Sequence, residues 1–385
     1  MTHAPSDRSS ANDLAIVLTG GGARAAYQVG VLRAVARMQP EARFPIITGV
    51  SAGAINAIFL ASYSGPLAAG MEELVGIWSV LRVSDVLDVD ALRLARTVVR
   101  WGGRLVSGGG ALAPKVQGLV DTAPLRRLLQ RVVATVDGEI VGIDRNLQSS
   151  ALRAIALLTI NYSTGQTVAW VQGGEIQTWE RPNRRSRRAR LTIDHVMASS
   201  ALPLVFPAIR IGEAWHGDGG IRLSAPLSPA IHLGARRILV ISPRYQPTRA
   251  EADIPTISGY PPPAQILGKM MNSIFLDLVD QDASRLKRIN ELIVKVPEEE
   301  RGSFRPINAL VLRPSEDLAK LSAQYEPDLP KGFRFLTRSL GTRETSSPDF
   351  LSMLMFQPDY LQRLIAIGER DAEERRDEIA ALFTC

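Results

Sequence analysis

Two short apolar runs constrain this chain more than any other feature. Leu14–Leu18 and Pro45–Thr48 are of strand length, and each breaks at once into a glycine-bearing turn and then a helical pattern. A continuous apolar run suits a strand buried on both faces, so strand, turn and helix taken twice reads as a β-α-β-α unit around a parallel sheet. The first turn is Gly20-Gly21-Gly22, after which Tyr27, Val31, Leu32 and Val35 recur at helical spacing until Pro40. The second is Gly49-Val50-Ser51-Ala52-Gly53, ahead of the small apolar stretch Ala54–Ile58. A serine between glycines on a sharp strand-to-helix turn is lifted to the top of the sheet, beside the unpaired N–H groups and positive dipole end of the helix. Gly-x-Ser-x-Gly alone says little in a chain with 31 glycines; the strand before it and the helix after it make it a candidate nucleophile elbow.

Further along, Leu74, Ile77 and Trp78 share one helical face and Leu125, Leu128, Leu129 and Val132 another, with Gly102-Gly103 and Gly108-Gly109-Gly110 marking a flexible loop between them. Asp88 and Asp90 could be read as a metal pair, but Asp90 precedes Ala-Leu-Arg-Leu-Ala and is better read as a helix cap. Strands are expected at Ala154–Ile160, Gln166–Val171, Arg237–Ser242, Glu291–Val296 and Ala309–Arg313, with Ser163-Thr164-Gly165 turning between the first two. Ile266, Leu267, Met270, Met271, Ile274, Phe275 and Leu278 form a broad helical stripe, read first as core and second as the lining of an acyl-chain pocket. After Ser315 the pattern is helical, with one helix opening at Ser347-Pro348 and Tyr360, Leu364 and Ile367 riding a last one. The expected organisation is a tail at 1–12, a catalytic domain over 13–314 and a helical region at 315–385 packed upon it.

A chain of 385 residues that is 45% hydrophobic and 22% charged has material for one large core or two ordinary ones. Its one cysteine, Cys385, excludes an intrachain disulfide. No signal peptide or membrane-spanning run is read, so the expectation is a cytoplasmic protein with at most peripheral membrane contact. The net charge of +6 is local: residues 181–190 hold six arginines. A solvated loop is the plain reading of that run, and contact with an anionic membrane surface the functional one. Nucleic acid is not expected, because no aromatic residues are interleaved.

A nucleophilic serine needs a base and an oxyanion hole. The glycine triplet answers the second need by letting backbone N–H groups converge. It also fits the start of a dinucleotide fingerprint, Gly20-x-Gly22-x-x-Ala25, but the second strand ends in the serine elbow rather than in the ribose-binding acid. Of four histidines, His3 lies in the tail, His232 and His195 sit in helical patterns, and His216 stands in Trp215-His216-Gly217-Asp218-Gly219-Gly220. In that segment the glycines can present the Asp218 carboxylate, and a nearby Trp215 would raise its pKa toward usefulness as a base. An ordinary turn is the alternative.

Gly-Gly-Gly-x-Arg after the first strand, Gly-x-Ser-x-Gly after the second and a distant Asp-Gly-Gly together resemble the patatin-like phospholipases, and Ala198–Pro207 is similar to the family's segment ahead of the aspartate. Ala25 stands where that family often has glycine. The resemblance implies a three-layer α/β fold with a mostly parallel sheet and a helical C-terminal extension. It further implies a Ser/Asp dyad of Ser51 and Asp218, with His195 and His216 as bystanders. The oxyanion hole would come from the Gly20, Gly21, Gly22 and Ala23 backbone, with Arg24 fixing that loop or adding positive charge, and Gly49, Gly53, Gly219 and Gly220 would be motif glycines. The implied activity is hydrolysis of phospholipid or lysophospholipid esters through an acyl-enzyme, with a lipid substrate and no metal or cofactor. A soluble-ester hydrolase and a lipid-binding regulatory protein are the alternatives.

Overall fold

A computed structural model describes residues 13–88, 118–174, 176–254, 259–275, 278–339 and 348–384. The expected 1–12 tail, the Asp90 cap, the glycines of 102–110 and Cys385 lie outside them.

Among the described residues there are twelve strands: β1 Leu14–Leu18, β2 Ile46–Gly49, β3 Thr135–Val136, β4 Glu139–Ile140, β5 Ala154–Asn161, β6 Thr167–Gly173, β7 Glu180–Arg181, β8 Arg184–Arg188, β9 Ile209–Ile211, β10 Ala214–Asp218, β11 Arg237–Ile241 and β12 Asn308–Leu312. Ten of them form one sheet in the order β12-β11-β1-β2-β5-β6-β8-β7, parallel from β12 through β5, with β10 pairing to β5 and β9 to β10. The helices that bear on the site are α1 Ala26–Met38, α2 Ala52–Ser62, α3 Leu67–Trp78, α4 Ala123–Val132, α5 Ile193–Ser199, α6 Ser228–His232, α7 Pro263–Phe275, α8 Leu278–Ile293, α9 Asp349–Leu354, α10 Pro358–Glu374 and α11 Arg376–Phe383.

Both faces of the sheet are covered, which is why its central strands read as unbroken apolar runs. Ile16, Leu18, Ile47, Leu157 and Ile241 point into the larger core with α1, α2, α3, α4 and α10, while Ala15, Val17, Ile46, Ala156 and Val240 point into a thinner one with α6 and α8. The fold is thus the expected three-layer α/β arrangement with a mostly parallel sheet and a helical C-terminal part. α10 buries Tyr360, Leu361, Leu364, Ile365, Ile367 and Gly368, an apolar stripe of helical period. It crosses α1 closely, because a Cβ on Gly30 would meet the Ile365 carbonyl and one on Gly368 the Tyr27 carbonyl.

Three sequence expectations are corrected. Glu291–Val296 is not a strand but the last turn of α8 and the turn after it, because Ile293 continues the buried helical stripe of Val279 and Leu286 while Leu292 and Val294 face outward. In the α7 stripe Met271 is buried, but Ile266 is 44% and Met270 53% exposed, so the core expectation fails at those two positions; the side chains of Leu267, Ile274 and Phe275 lie outside the described ones. The arginine-rich segment is not a loop, since β7 and β8 make it the edge of the sheet. There Arg188 donates to the Ile176 carbonyl, and Arg190 pairs with Glu139 and Asp144.

Candidate active site

Register on β5 explains how Ser51 and Asp218 come together. β2 pairs with the first half of β5 as far as Gly49↔Leu157, and the chain then turns out of the sheet. β10 takes the vacated place beside the second half of β5, with Asp218↔Thr159. Asp218 therefore stands two residues beyond Gly49 along the same strand, which is the level that Ser51 reaches on leaving β2.

The turn is strained. Ser51 has φ 57° and ψ −135°, a conformation that costs a non-glycine residue about 1–3 kcal/mol and persists only where the surroundings impose it. The surroundings here are Ser199 and Ser200 at the end of α5: the Ser199 hydroxyl accepts from the Ser51 amide at 3.1 Å, and the Ser200 hydroxyl donates to the Ser51 carbonyl at 3.0 Å. Ser199 is itself anchored by donating to the Leu158 carbonyl at 2.7 Å. Glycine at 53 is required by packing, because a Cβ would strike the Leu18 and Thr19 carbonyls, and Gly219 is pressed against the Leu158 carbonyl in the same way. Gly49 has Ala57 and Ala54 where its Cβ would stand, and the Gly220 amide donates to Asp218 Oδ1 at 2.9 Å.

Asp218 has no solvent exposure. Its amide donates to the Ala201 carbonyl at 3.1 Å, so the segment that clamps Ser51 also fixes the acid. Burial pushes the carboxyl from 3.8 up to about 7, and hydrogen bonding from Ser51 and the Gly220 amide draws it part of the way back. Asp218 Oδ2 nevertheless has no partner within strict hydrogen-bond geometry. The serine hydroxyl is thus near the acid without a fully formed hydrogen bond. The cause expected from sequence is corrected: Trp215 is 48% exposed, and the apolar cluster Val50, Leu158 and Leu223 lies where the two strands meet.

The histidines are engaged elsewhere. His216 Nδ1 is 3.0 Å from the Thr159 hydroxyl, His195 Nδ1 is 2.9 Å from the Thr192 hydroxyl, and Trp170 stands edge-on to both rings. Burial lowers each imidazole to about 4. His232 is stacked on Trp179.

In the glycine loop, Gly21 has φ 154° and Gly22 φ 57°. Both line a narrow apolar cavity of about 50 Å³ at Ser51, together with Ile55, Leu202, Met353 and Leu354. Ala23 is buried, and the Arg24 amide donates to the Gly21 carbonyl at 3.2 Å. The Arg24 guanidinium does not line this cavity. It is held by Asp349 Oδ1 at 2.8 Å, the Ser352 hydroxyl at 2.7 Å and Asn272 Oδ1 at 3.4 Å, so of its two expected roles the geometry favours fixing the loop. A Cβ on Gly22 would strike the Met353 carbonyl, which locks the loop against α9. Larger clefts of about 590 and 760 Å³ lie around Arg145 and Lys287, and neither includes Ser51.

Sequence reading missed Asp349 and Ser352, about 325 positions from Arg24, because no local pattern links them. Ser199 and Ser200 carry no assigned role from sequence either; two adjacent hydroxyls at a helix end are the available signal. Among the described residues no group of three or more His, Cys, Asp or Glu stands close enough to hold a metal ion, and no helix is long and apolar enough to cross a membrane.

A search of curated proteins finds no sequence match. Among solved structures, the chain is similar to VipD from Legionella pneumophila at 12% identity, covering 95% of this chain and 67% of that one with a TM-score of 0.40. It is also similar to human GIVD cytosolic phospholipase A2 in complex with methyl gamma-linolenyl fluorophosphonate, at 12% identity and a TM-score of 0.45. The match covers 99% of this chain but spans only 60% of the human enzyme's length. The family description "Patatin-like phospholipase" matches residues 16–231, a segment that holds the glycine triplet, the serine elbow and Asp-Gly-Gly in order. More than half of the chain is matched, and it belongs to the patatin-like phospholipase family.

Proposed function

We propose that the protein is a serine acyl hydrolase that cleaves carboxylic esters of phospholipids or lysophospholipids. The observation that carries this reading is a strained Ser51 beside a fully buried Asp218 whose pKa is raised to about 7, at the mouth of an apolar cavity. A carboxylate with that pKa is matched to accepting a proton near neutrality. Asp218 takes the Ser51 proton as Oγ attacks the ester carbonyl. Backbone N–H groups of Gly21, Gly22 and Ala23 and the N-terminus of α2 stabilise the oxyanion. The proton passes to the leaving alkoxide; water, deprotonated by Asp218, then adds to the acyl carbonyl, and Asp218 returns that proton to Ser51 Oγ as the acyl–oxygen bond breaks.

Residues 13–314 and the helices of 315–385 form one catalytic unit on this reading, because Met353 and Leu354 line the cavity. Exposed Arg181 and Arg187 on the sheet edge favour anionic lipid surfaces, at about 1 kcal/mol for each basic residue held near headgroups.

The test is hydrolysis of phospholipid and lysophospholipid by wild type, Ser51→Ala, Asp218→Asn and His216→Ala proteins prepared in parallel. Loss in the two dyad variants with His216→Ala retained is expected. Ordinary turnover by Ser51→Ala overturns the reading, and loss in all three moves it to a Ser-His-Asp arrangement.

A further inference from the structure

The cavity at Ser51 does not stop at its own walls. A second apolar cavity of about 40 Å³ shares Ala52, Ile55, Val86, Leu125 and Phe356 with it. Ala52, Ile55 and Leu125 come from the first turns of α2 and α4, Val86 from the short helical turn Val83–Val86, and Phe356 from the link between α9 and α10. The second cavity then runs on along both helices, to Phe59 on α2 and to Leu129 and Val133 on and just after α4. Two narrow spaces with common walls make one slot that begins at the nucleophile and is lined by apolar side chains. From Ala52 to Phe59 the slot covers seven helical steps, about 10 Å, the length of about eight methylenes of an extended chain.

One wall is fixed. Trp78 is 2% exposed and donates its indole N–H to Asn56 Oδ1 at 2.9 Å. Asn56 donates in turn to the Ala25 carbonyl and to Gln28, and Gln28 to the carbonyls of Thr19 and Ile241. This buried polar chain ties the wall to the oxyanion loop and the sheet, and satisfied networks of this kind are rigid. It also explains an asparagine and a glutamine at 0% exposure within otherwise apolar helices. Among the described residues, the α7 stripe, the sequence-based candidate for an acyl pocket, contributes none to the slot.

We propose that this slot holds the scissile acyl chain and limits its length, with Leu129 and Phe59 as the floor and Trp78 as the rigid side wall. The substrate class is then an ester of a straight, saturated acyl chain of medium length. The proposal rests on Ser51 being the nucleophile.

The experiment is kcat/KM on monomeric p-nitrophenyl esters from C4 to C16 with wild type, Leu129→Ala and Ile55→Phe, with labelling by a small fluorophosphonate to count active Ser51. The wild-type value rises by roughly fourfold per added methylene while each is buried, peaks near C8 to C10 and falls beyond. Leu129→Ala moves the peak to longer chains by about two carbons, and Ile55→Phe moves it to shorter ones while labelling is retained. Because Ile55→Phe shortens the slot independently, misfolding of Leu129→Ala leaves a complete test. A flat profile with Ser51-dependent turnover, or a peak unmoved in a labelled variant, overturns the slot and leaves the hydrolase reading intact. No turnover and no labelling of wild type overturns both.

Discussion

Replacing Asp218 by Asn should make the protein more stable, and by an amount that depends on pH. Burial holds the Asp218 carboxyl at about 7 in the folded state against 3.8 for the free side chain, a gap of about 3 pH units. At about 1.4 kcal/mol per unit, the folded state loses about 4 kcal/mol when this group must ionise. The raised pKa means that the native protein binds the proton more tightly than the unfolded chain does. The contribution is therefore fully present below about pH 4, falls as pH rises and is lost once pH passes about 7. Asparagine keeps the shape and an acceptor for the Gly220 amide but does not titrate. The stability gained by Asp218→Asn over wild type should then grow by about 1.4 kcal/mol per pH unit between pH 4 and 7 and level off above. Between pH 5 and 8 the difference amounts to about 3 kcal/mol. Urea unfolding of both proteins at pH 5, 6, 7 and 8 measures it, and titrations common to both cancel. A difference that stays constant with pH, or shrinks as pH rises, refutes the claim that folding holds Asp218 protonated into the neutral range.

On the proposed mechanism the same carboxyl sets the acid limb of activity: kcat/KM should climb with pH and reach half its plateau near pH 7 in wild type, with His216→Gln leaving that midpoint in place. Ser51→Gly should abolish turnover yet raise stability by about 1 kcal/mol, since glycine adopts the φ 57° backbone without strain; unchanged or lower stability by urea titration refutes the strained elbow. Gly22→Ala combines a positive φ with a collision against the Met353 carbonyl, so loss of fluorophosphonate labelling is expected, and normal labelling would contradict the locked loop. Asp349→Ala leaves the buried Arg24 without its carboxylate and should cost about 3–5 kcal/mol; if Asp349→Asn folds, its kcat should fall more than its KM rises, and an unchanged kcat denies Asp349 a part in positioning the loop.

Much of this molecule was legible because its signals are local. A strand buried on both faces must be apolar throughout, and a turn that presses its backbone on a neighbouring carbonyl must carry glycine. Leu14–Leu18, Gly20–Gly22, Gly49–Gly53 and Asp218–Gly220 could thus be read in order along the chain. Glu291–Val296 misled because a short apolar run, Leu292-Ile293-Val294, fits the end of a helix as well as a strand, and only packing on the sheet decides between them. The arginines of 181–190 were seen as charge, yet their place on the sheet edge is set by pairing with β6 and β7. Burial of Asp218 depends on β10 entering the gap that β2 leaves beside β5. The tie from Arg24 to Asp349 joins residues 325 apart, and the slot from Ser51 to Leu129 is bounded by helices from distant stretches of chain. The sequence by itself determined which backbone turns are possible and which side chains can react. Tertiary structure decided the pKa of the acid, the partner of the arginine and the length of the slot, because desolvation, ion pairing and cavity shape arise from atoms that the chain brings together only on folding.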